Sequence, residues 1–191
     1  DRSELEILEK PGLRGSRFRY RGQEYRLNLG GAYQVTNALT AIEALTCAGV
    51  TPAHIAMGIE RARIPARMEL LPGDILLDGG HNPQAARAVR SALEDSGYER
   101  RTAFIGMMNT KDHRAFLQEI LPCFDRVYFC DGFSEGEVPA EELRRISGLD
   151  GAEIFHSPRE ALKFARRDRE GGLMYFGGSF YFAAAVREYL V

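Results

Sequence analysis

The sequence predicts an α/β fold: a doubly wound, mostly parallel sheet of about five or six strands with helices on both faces, preceded by a β-hairpin and helices. Three observations predict it. From Asp74 to the carboxy terminus, short unbroken apolar runs alternate with stretches of helical period. Before Gly30 the period is two, with aromatic and leucine side chains alternating with arginine, glutamate and asparagine. Between these parts, apolar residues recur at three- and four-residue steps and end at glycine or proline.

The hairpin is carried by Phe18 and Tyr20, which alternate with Arg17, Arg19 and Arg21, and by Tyr25, Leu27 and Leu29, which alternate with Glu24, Arg26 and Asn28. Gly22-Gln23 lies between them, and a glycine-first two-residue loop suits a type II′ turn. Ala38, Ala41, Ile42 and Leu45 then define a helix that ends at Gly49. Thr51-Pro52 supplies an N-cap and a first-turn proline for a second helix, which ends near Arg63. Pro65 breaks it, which places a domain boundary between Ile64 and Pro72.

Beyond that boundary, Ile75-Leu76-Leu77 has the unbroken apolar character of a strand covered on both faces. Ala103-Phe104-Ile105, Val127-Tyr128-Phe129, Ile154-Phe155 and Leu173-Met174-Tyr175-Phe176 repeat the pattern. The intervening helices open at Asn82-Pro83, after Asp112, at Pro139 and at Ser157-Pro158-Arg159-Glu160, which has the form of a capping box. A last helix carries Ala183, Val186 and Leu190.

Composition narrows the function. The 25 basic and 27 acidic residues leave a formal charge of -2, which excludes a general polyanion or nucleic-acid binder. The arginines from Arg14 to Arg26 fit a solvated strand face better than a nucleic-acid patch, because three of them occupy alternate positions. No apolar run reaches the ~18 residues of a membrane span. Asp1 gives the chain a polar start without the pattern of a secretory leader, and the expectation is an excised piece of a longer, cytoplasmic protein. Cys47, Cys123 and Cys130 match no common zinc or redox spacing and are expected to be buried free thiols. No metal site is expected within the chain.

In an open parallel sheet, ligands bind beyond the carboxyl ends of the strands. Three loops fall there. Asp78-Gly79-Gly80-His81-Asn82-Pro83 combines two glycines, which let backbone approach a ligand closely, with a helix start that favours anions. Asp78 offers acceptor oxygens suited to ribose hydroxyls, and His81 can donate to a phosphate or pass a proton near neutral pH. The same loop also fits a turn aspartate and a capping histidine, and residue chemistry alone leaves both open. Gly177-Gly178-Ser179 opens at the same edge, as does Gly106 to Asp112. Lys111 is one of three lysines among the 25 basic residues, and its alternative is a solvated lysine beside a capping Asp112. The phosphate-loop, dinucleotide, zinc-protease and nucleophile-elbow motifs are absent from the sequence.

Taken together, Leu29 to Ala38, Pro65-Ala66-Arg67-Met68-Glu69, Asp78 to Pro83, Gly106 with Lys111-Asp112, and Gly178-Ser179-Phe180-Tyr181 resemble the carboxy-terminal part of folylpolyglutamate synthase and bifunctional dihydrofolate synthase, within the Mur ligase superfamily. The resemblance covers nearly the whole chain, and Asp-Gly-x-His-Asn-Pro is its most specific element. It implies a Rossmann-like ligase domain from Pro65 to Val191, with residues up to Ile64 as the tail of a central ATP-binding domain. It further implies an enzyme that uses ATP and magnesium to activate a folate or pteroate carboxylate as an acyl phosphate, which the amine of L-glutamate attacks. The phosphate loop and most magnesium ligands would belong to the central domain, so this chain alone is expected to be inactive.

Residue by residue, the resemblance places Asn37 at the adenine, Arg67 at the nucleotide, Asp78 at the ribose and His81 at the phosphates, with a catalytic part for His81. Ser179 and Lys111 are candidates for the glutamate side. Tyr33 stands where the family commonly has histidine, Ala66 where it has glycine and Gly80 where it has alanine, while the loop 134–139 lacks the family's usual Pro-Arg-Ala run. Two competing expectations are another amino-acid ligase of the superfamily and a receiver-like binding module. The latter would want an acidic cluster at the strand ends, where only Asp78 and Asp131 fall.

Overall fold

Alternation in the first thirty residues builds a three-stranded antiparallel sheet in the computed structural model, which describes residues 2–94, 96–167 and 172–191. Asp1 lies outside the described residues. The strands are β1 (Leu5–Gly12), β2 (Gly15–Tyr20) and β3 (Gln23–Leu27), in that spatial order. Phe18, Tyr20, Tyr25 and Leu27 turn to one face, where Phe18 stacks on Tyr25 at 5.4 Å between centroids. They pack with Val35, Ala38 and Ile42 of α1 (Tyr33–Cys47) and with Ile55 and Ile59 of α2 (Pro52–Arg61). Each such aromatic burial contributes about 1.5–3 kcal/mol.

The hairpin turn differs from the expectation by one residue. Tyr20 pairs with Gln23, so the loop is Arg21-Gly22. Both loop residues have positive φ, +49° and +77°, which defines type I′ rather than II′. The register is set by burying Phe18, Tyr20, Tyr25 and Leu27 together, and a one-residue shift would turn one strand's set to solvent. Strand β1 was not legible, because it is largely exposed, carries Pro11 and has irregular register against β2.

The second sheet contains β4 (Glu69–Leu71), β5 (Ile75–Asp78), β6 (Arg101–Ile105), β7 (Arg126–Cys130), β8 (Ile154–Phe155) and β9 (Leu173–Gly177), in the order β4-β5-β9-β6-β7-β8. Five strands are parallel, and β4 adds an antiparallel edge. Helices α3 (Pro83–Glu94), α4 (His113–Ile120) and α5 (Ala140–Ser147) cover one face, meeting Leu76, Ala103, Ile105 and Tyr175. Helices α6 (Pro158–Arg167) and α7 (Phe180–Arg187) cover the other, meeting Ile75, Leu77, Phe104 and Phe176. Successive residues of β5 thus enter opposite cores, which explains its unbroken apolar run. Because β9 inserts between β5 and β6, the loops after these three strands lie side by side at the carboxyl edge.

The tip between β1 and β2 ties the two sheets together. Leu13, at the tip joining β1 and β2, is 5% exposed and belongs to the core formed with Met68, Leu76 and α3. Beside it Arg14 donates to the Tyr98 hydroxyl, which donates to Asp74. Cys123 and Cys130 are buried, and burial raises both thiols. Cys47 is exposed, contrary to expectation, because it closes α1 on the side away from the aromatic sheet face. Among the described residues, no helix is long and apolar enough to cross a membrane.

Candidate functional site

The site is built by two loops that meet over the end of β5. Asp78 ends the strand at 3% exposure. Its Oδ2 accepts the Met68 amide at 2.9 Å and its Oδ1 the Gly80 amide at 2.8 Å. Burial pushes its carboxyl above the usual range, and the two N–H donors, Arg67 and His81 oppose that shift. Gly79 donates to the Ala66 carbonyl at 2.7 Å and lies so close to Phe180 that a side chain there would meet its backbone at 3.0 Å. Asn82 then accepts the Ala85 amide at 2.8 Å, as the capping residue the sequence indicated for α3.

The partner loop is bent around Arg67. Ala66 and Met68 on either side have φ of +53° and +44°, a left-handed conformation that costs a non-glycine residue about 1–2 kcal/mol. The bend turns Arg67 outward, exposed at the cavity wall, while Ala66 and Met68 are buried. It is held by the Asp78 and Gly79 bonds and by Glu69, whose Oε2 accepts the Ala66 amide at 2.9 Å.

Tyr33, Arg67, Met68, Asp78, Asn82 and Ala85 contribute to the walls of a cavity of about 250 Å³. Tyr33 opens α1 and lies across Gly31, where an added side chain would stand 2.7 Å from its ring. Its hydroxyl is pushed up to about 12, by burial first and then by Asp78, so it remains a proton donor throughout the neutral range. The cavity therefore offers a guanidinium, a phenol donor and a carboxylate beside the apolar surface of Met68 and Ala85. That combination suits a flat ring system bearing hydroxyl and anionic groups.

The structure brings Arg67 and Asp78 together and leaves the other sequence candidates outside the cavity lining. His81, half-buried, follows in the same loop as Asp78. Its Nδ1 lies 3.2 Å from the Gly79 carbonyl, so that nitrogen donates and Nε2 is left to face a ligand. Asn37 lies one turn into α1, exposed, and donates to Gln34 Oε1 at 2.8 Å. Ser179 is 2% exposed and caps α7, its Oγ accepting the Tyr181 amide at 3.2 Å. Lys111 is half-buried after β6, next to Asp112, which caps α4 by accepting the Ala115 amide at 3.1 Å. Sequence reasoning left Tyr33 without a role and did not single out Met68. The signal for Tyr33 was its place directly after Gly30-Gly31 in the quoted motif.

Elsewhere at this edge, Glu137 organises its own loop by accepting the amides of Phe133 at 2.8 Å and Ser134 at 2.9 Å. Asp131, Glu141 and His156 cluster beyond β7 and β8. The two nitrogens of His156 face different carboxylates, Asp131 at 2.9 Å and Glu141 at 3.8 Å, so the ring bridges them instead of converging on one ion. The hydrogen bond that His156 Nδ1 donates to the Asp131 carboxylate raises the His156 pKa.

A doubly wound sheet with a polar cavity at its carboxyl edge puts this chain among the open α/β domains, whose ligands bind at that edge. The family description "Mur ligase, glutamate ligase domain" matches residues 66–180, and the chain belongs to that family. It is 29% identical over 196 residues to the folylpolyglutamate synthase of Lacticaseibacillus casei, covering 93% of this chain and 44% of that protein. The Mycobacterium tuberculosis folylpolyglutamate synthase, solved with ADP and AMPPCP, superposes with a TM-score of 0.81 at 23% identity, over 98% of this chain and 48% of that one. Escherichia coli FolC in complex with DHPP and ADP gives a TM-score of 0.79 at 25% identity, over 98% and 46%. The chain thus spans just under half the length of each, and the resemblance drawn from its motifs holds.

Proposed function

We propose that the chain is the carboxy-terminal part of an ATP-dependent, ADP-forming ligase that joins L-glutamate to a folate or (dihydro)pteroate carboxylate through an acyl phosphate. The observation that carries this reading is the convergence of Arg67 and Asp78, from two separate loops, on one cavity in a glutamate-ligase domain. Arg67 binds nucleotide through its planar fork. Asp78 spends one lone pair of each oxygen on backbone N–H groups and keeps the others for ribose hydroxyls. Tyr33 adds a donor at the cavity wall. Asn37 contacts the adenine from α1, His81 as the imidazolium donates from Nε2 to the phosphates, and Ser179 and Lys111 serve the glutamate side.

Magnesium has no ligand set among the cavity residues, and we assign its ligands and the phosphate loop to a central domain preceding Pro65. Residues up to Ile64 are the tail of that domain, and Pro65 to Val191 the domain that closes on it. We place the enzyme in the cytoplasm, in keeping with its unpaired cysteines.

The test is release of ADP on addition of ATP, L-glutamate and either folate or dihydropteroate to the full-length protein. Turnover with a pterin substrate is expected, and incorporation of a different amino acid into a different acceptor would overturn the assignment. The 191-residue chain by itself should show no turnover, because phosphoryl transfer depends on metal and phosphate-loop electrostatics. Measurable activity of the chain alone would overturn the division of labour.

A further inference from the structure

The bend at Arg67 needs an explanation that the cavity residues supply only in part. Ala66 is 1% exposed, so its amide has no access to water and must find an acceptor in the fold. That acceptor is Glu69 Oε2. Glu69 in turn faces Arg187, whose Nε lies 3.1 Å from Oε1 and 2.9 Å from Oε2. Arg187 ends α7, a helix fixed in the core by Phe182, Ala183 and Val186. The guanidinium therefore holds the carboxylate from the core side, and the carboxylate holds the Ala66 amide.

We propose that Glu69 is a positioning residue: clamped by Arg187, it keeps the Ala66–Met68 bend in its left-handed form and so keeps Arg67 aimed into the cavity. The proposal rests on the reading of that cavity as the nucleotide site. Loss of the Glu69 acceptor leaves a buried N–H unpaired next to two residues that already sit in a costly conformation. The loop then relaxes toward ordinary backbone angles and carries the Arg67 side chain out of line. The competing account treats Glu69–Arg187 as a staple between edge strand β4 and α7, with no bearing on Arg67.

The two accounts separate in the full-length enzyme. Glu69→Ala should raise the ATP KM about tenfold while kcat at saturating ATP changes less than about twofold. Glu69→Gln keeps a carbonyl oxygen for the Ala66 amide, so its KM should rise less than about threefold. The exchange Glu69→Arg with Arg187→Glu restores the ion pair but not the acceptor, so the Tm should recover while the KM stays raised. Recovery of both would establish the staple and overturn the proposal. An unchanged KM in Glu69→Ala, beside a raised KM in Arg67→Ala, would overturn it as well. Should Arg67→Ala leave the KM unchanged, the nucleotide reading fails, and amide exchange in the 191-residue chain decides the positioning role alone. Faster exchange at Ala66 and Met68 in Glu69→Ala supports that role, and unchanged exchange overturns it.

Discussion

Two regions of this molecule hold their arginines on opposite terms. On the outer face of the amino-terminal sheet, Arg17 pairs with Glu9 and Glu24, Arg19 with Glu6 and Glu24, and Arg21 with Glu4 and Glu43. Those charges are neutralised in place by neighbours on adjacent strands and helix, and each pair is solvated and weak. Arg67 is also exposed, but it lies on a bend of costly backbone, over a buried carboxylate already engaged by two amides. The fold satisfies the first set internally and spends conformational energy to present the second. An arginine held at such cost, with its own charge left for a visitor, marks the functional edge better than the number of arginines does.

The comparison breaks most visibly at His81, which shares the loop with Asp78. Charge moves on the phosphates during transfer, so an imidazolium there, which donates from Nε2 while Nδ1 stays on the Gly79 carbonyl, matters most at the transition state. His81→Ala in the full-length enzyme should lower kcat on the order of tenfold or more, with a smaller rise in the ATP KM and an unchanged Tm. Normal turnover with a lowered Tm would make His81 a loop-holding residue only.

Asp78→Asn is the next largest effect. An asparagine amide group would set a donor against the Met68 or Gly80 N–H, so both the bend and the ribose contact suffer. ATP binding should weaken by about 1–3 kcal/mol, with a fall in Tm beside it. A fall in Tm without any change in ATP binding would confine Asp78 to holding the loops.

Smaller still, Arg67→Lys replaces a planar fork by a point charge and should raise the ATP KM about three- to tenfold, with an unchanged Tm. An unchanged KM would return Arg67 to the company of the ladder arginines. The smallest effect should come from the ladder itself. Arg19→Ala should shift the Tm by less than about 3 °C and leave the ATP KM alone. A raised KM in that variant would erase the distinction between the two regions.

Much of this architecture is written locally. Ile75 to Leu77, Ala103 to Ile105 and Leu173 to Phe176 announce buried strands as unbroken apolar runs, and Asn82 and Asp112 announce helix starts through their own side-chain chemistry. Strand β4 escaped because three residues carry no period, and β1 because an exposed, irregular edge strand needs no alternation. The turn at Arg21-Gly22 depended on cross-strand register, which is decided by packing on α1 and α2. At the site, Asp78 was legible as a strand-end carboxylate, but its burial was not. Its amide donor Met68 is ten residues away, and the anchor Arg187 of Glu69 lies 118 residues from its partner. Long-range pairing of that kind leaves no spacing to read.

Leu13 bears on how this protein can be taken apart. The tip between β1 and β2 lodges in the core beneath α3, although its strand belongs to the other sheet. A module cut at Pro65 would lose that side chain and open the core that it shares with Met68, Leu76 and Leu93. Chimeras that exchange the carboxy-terminal segment between relatives inherit the same constraint: tip and core must travel as a matched pair, although they are far apart in the gene.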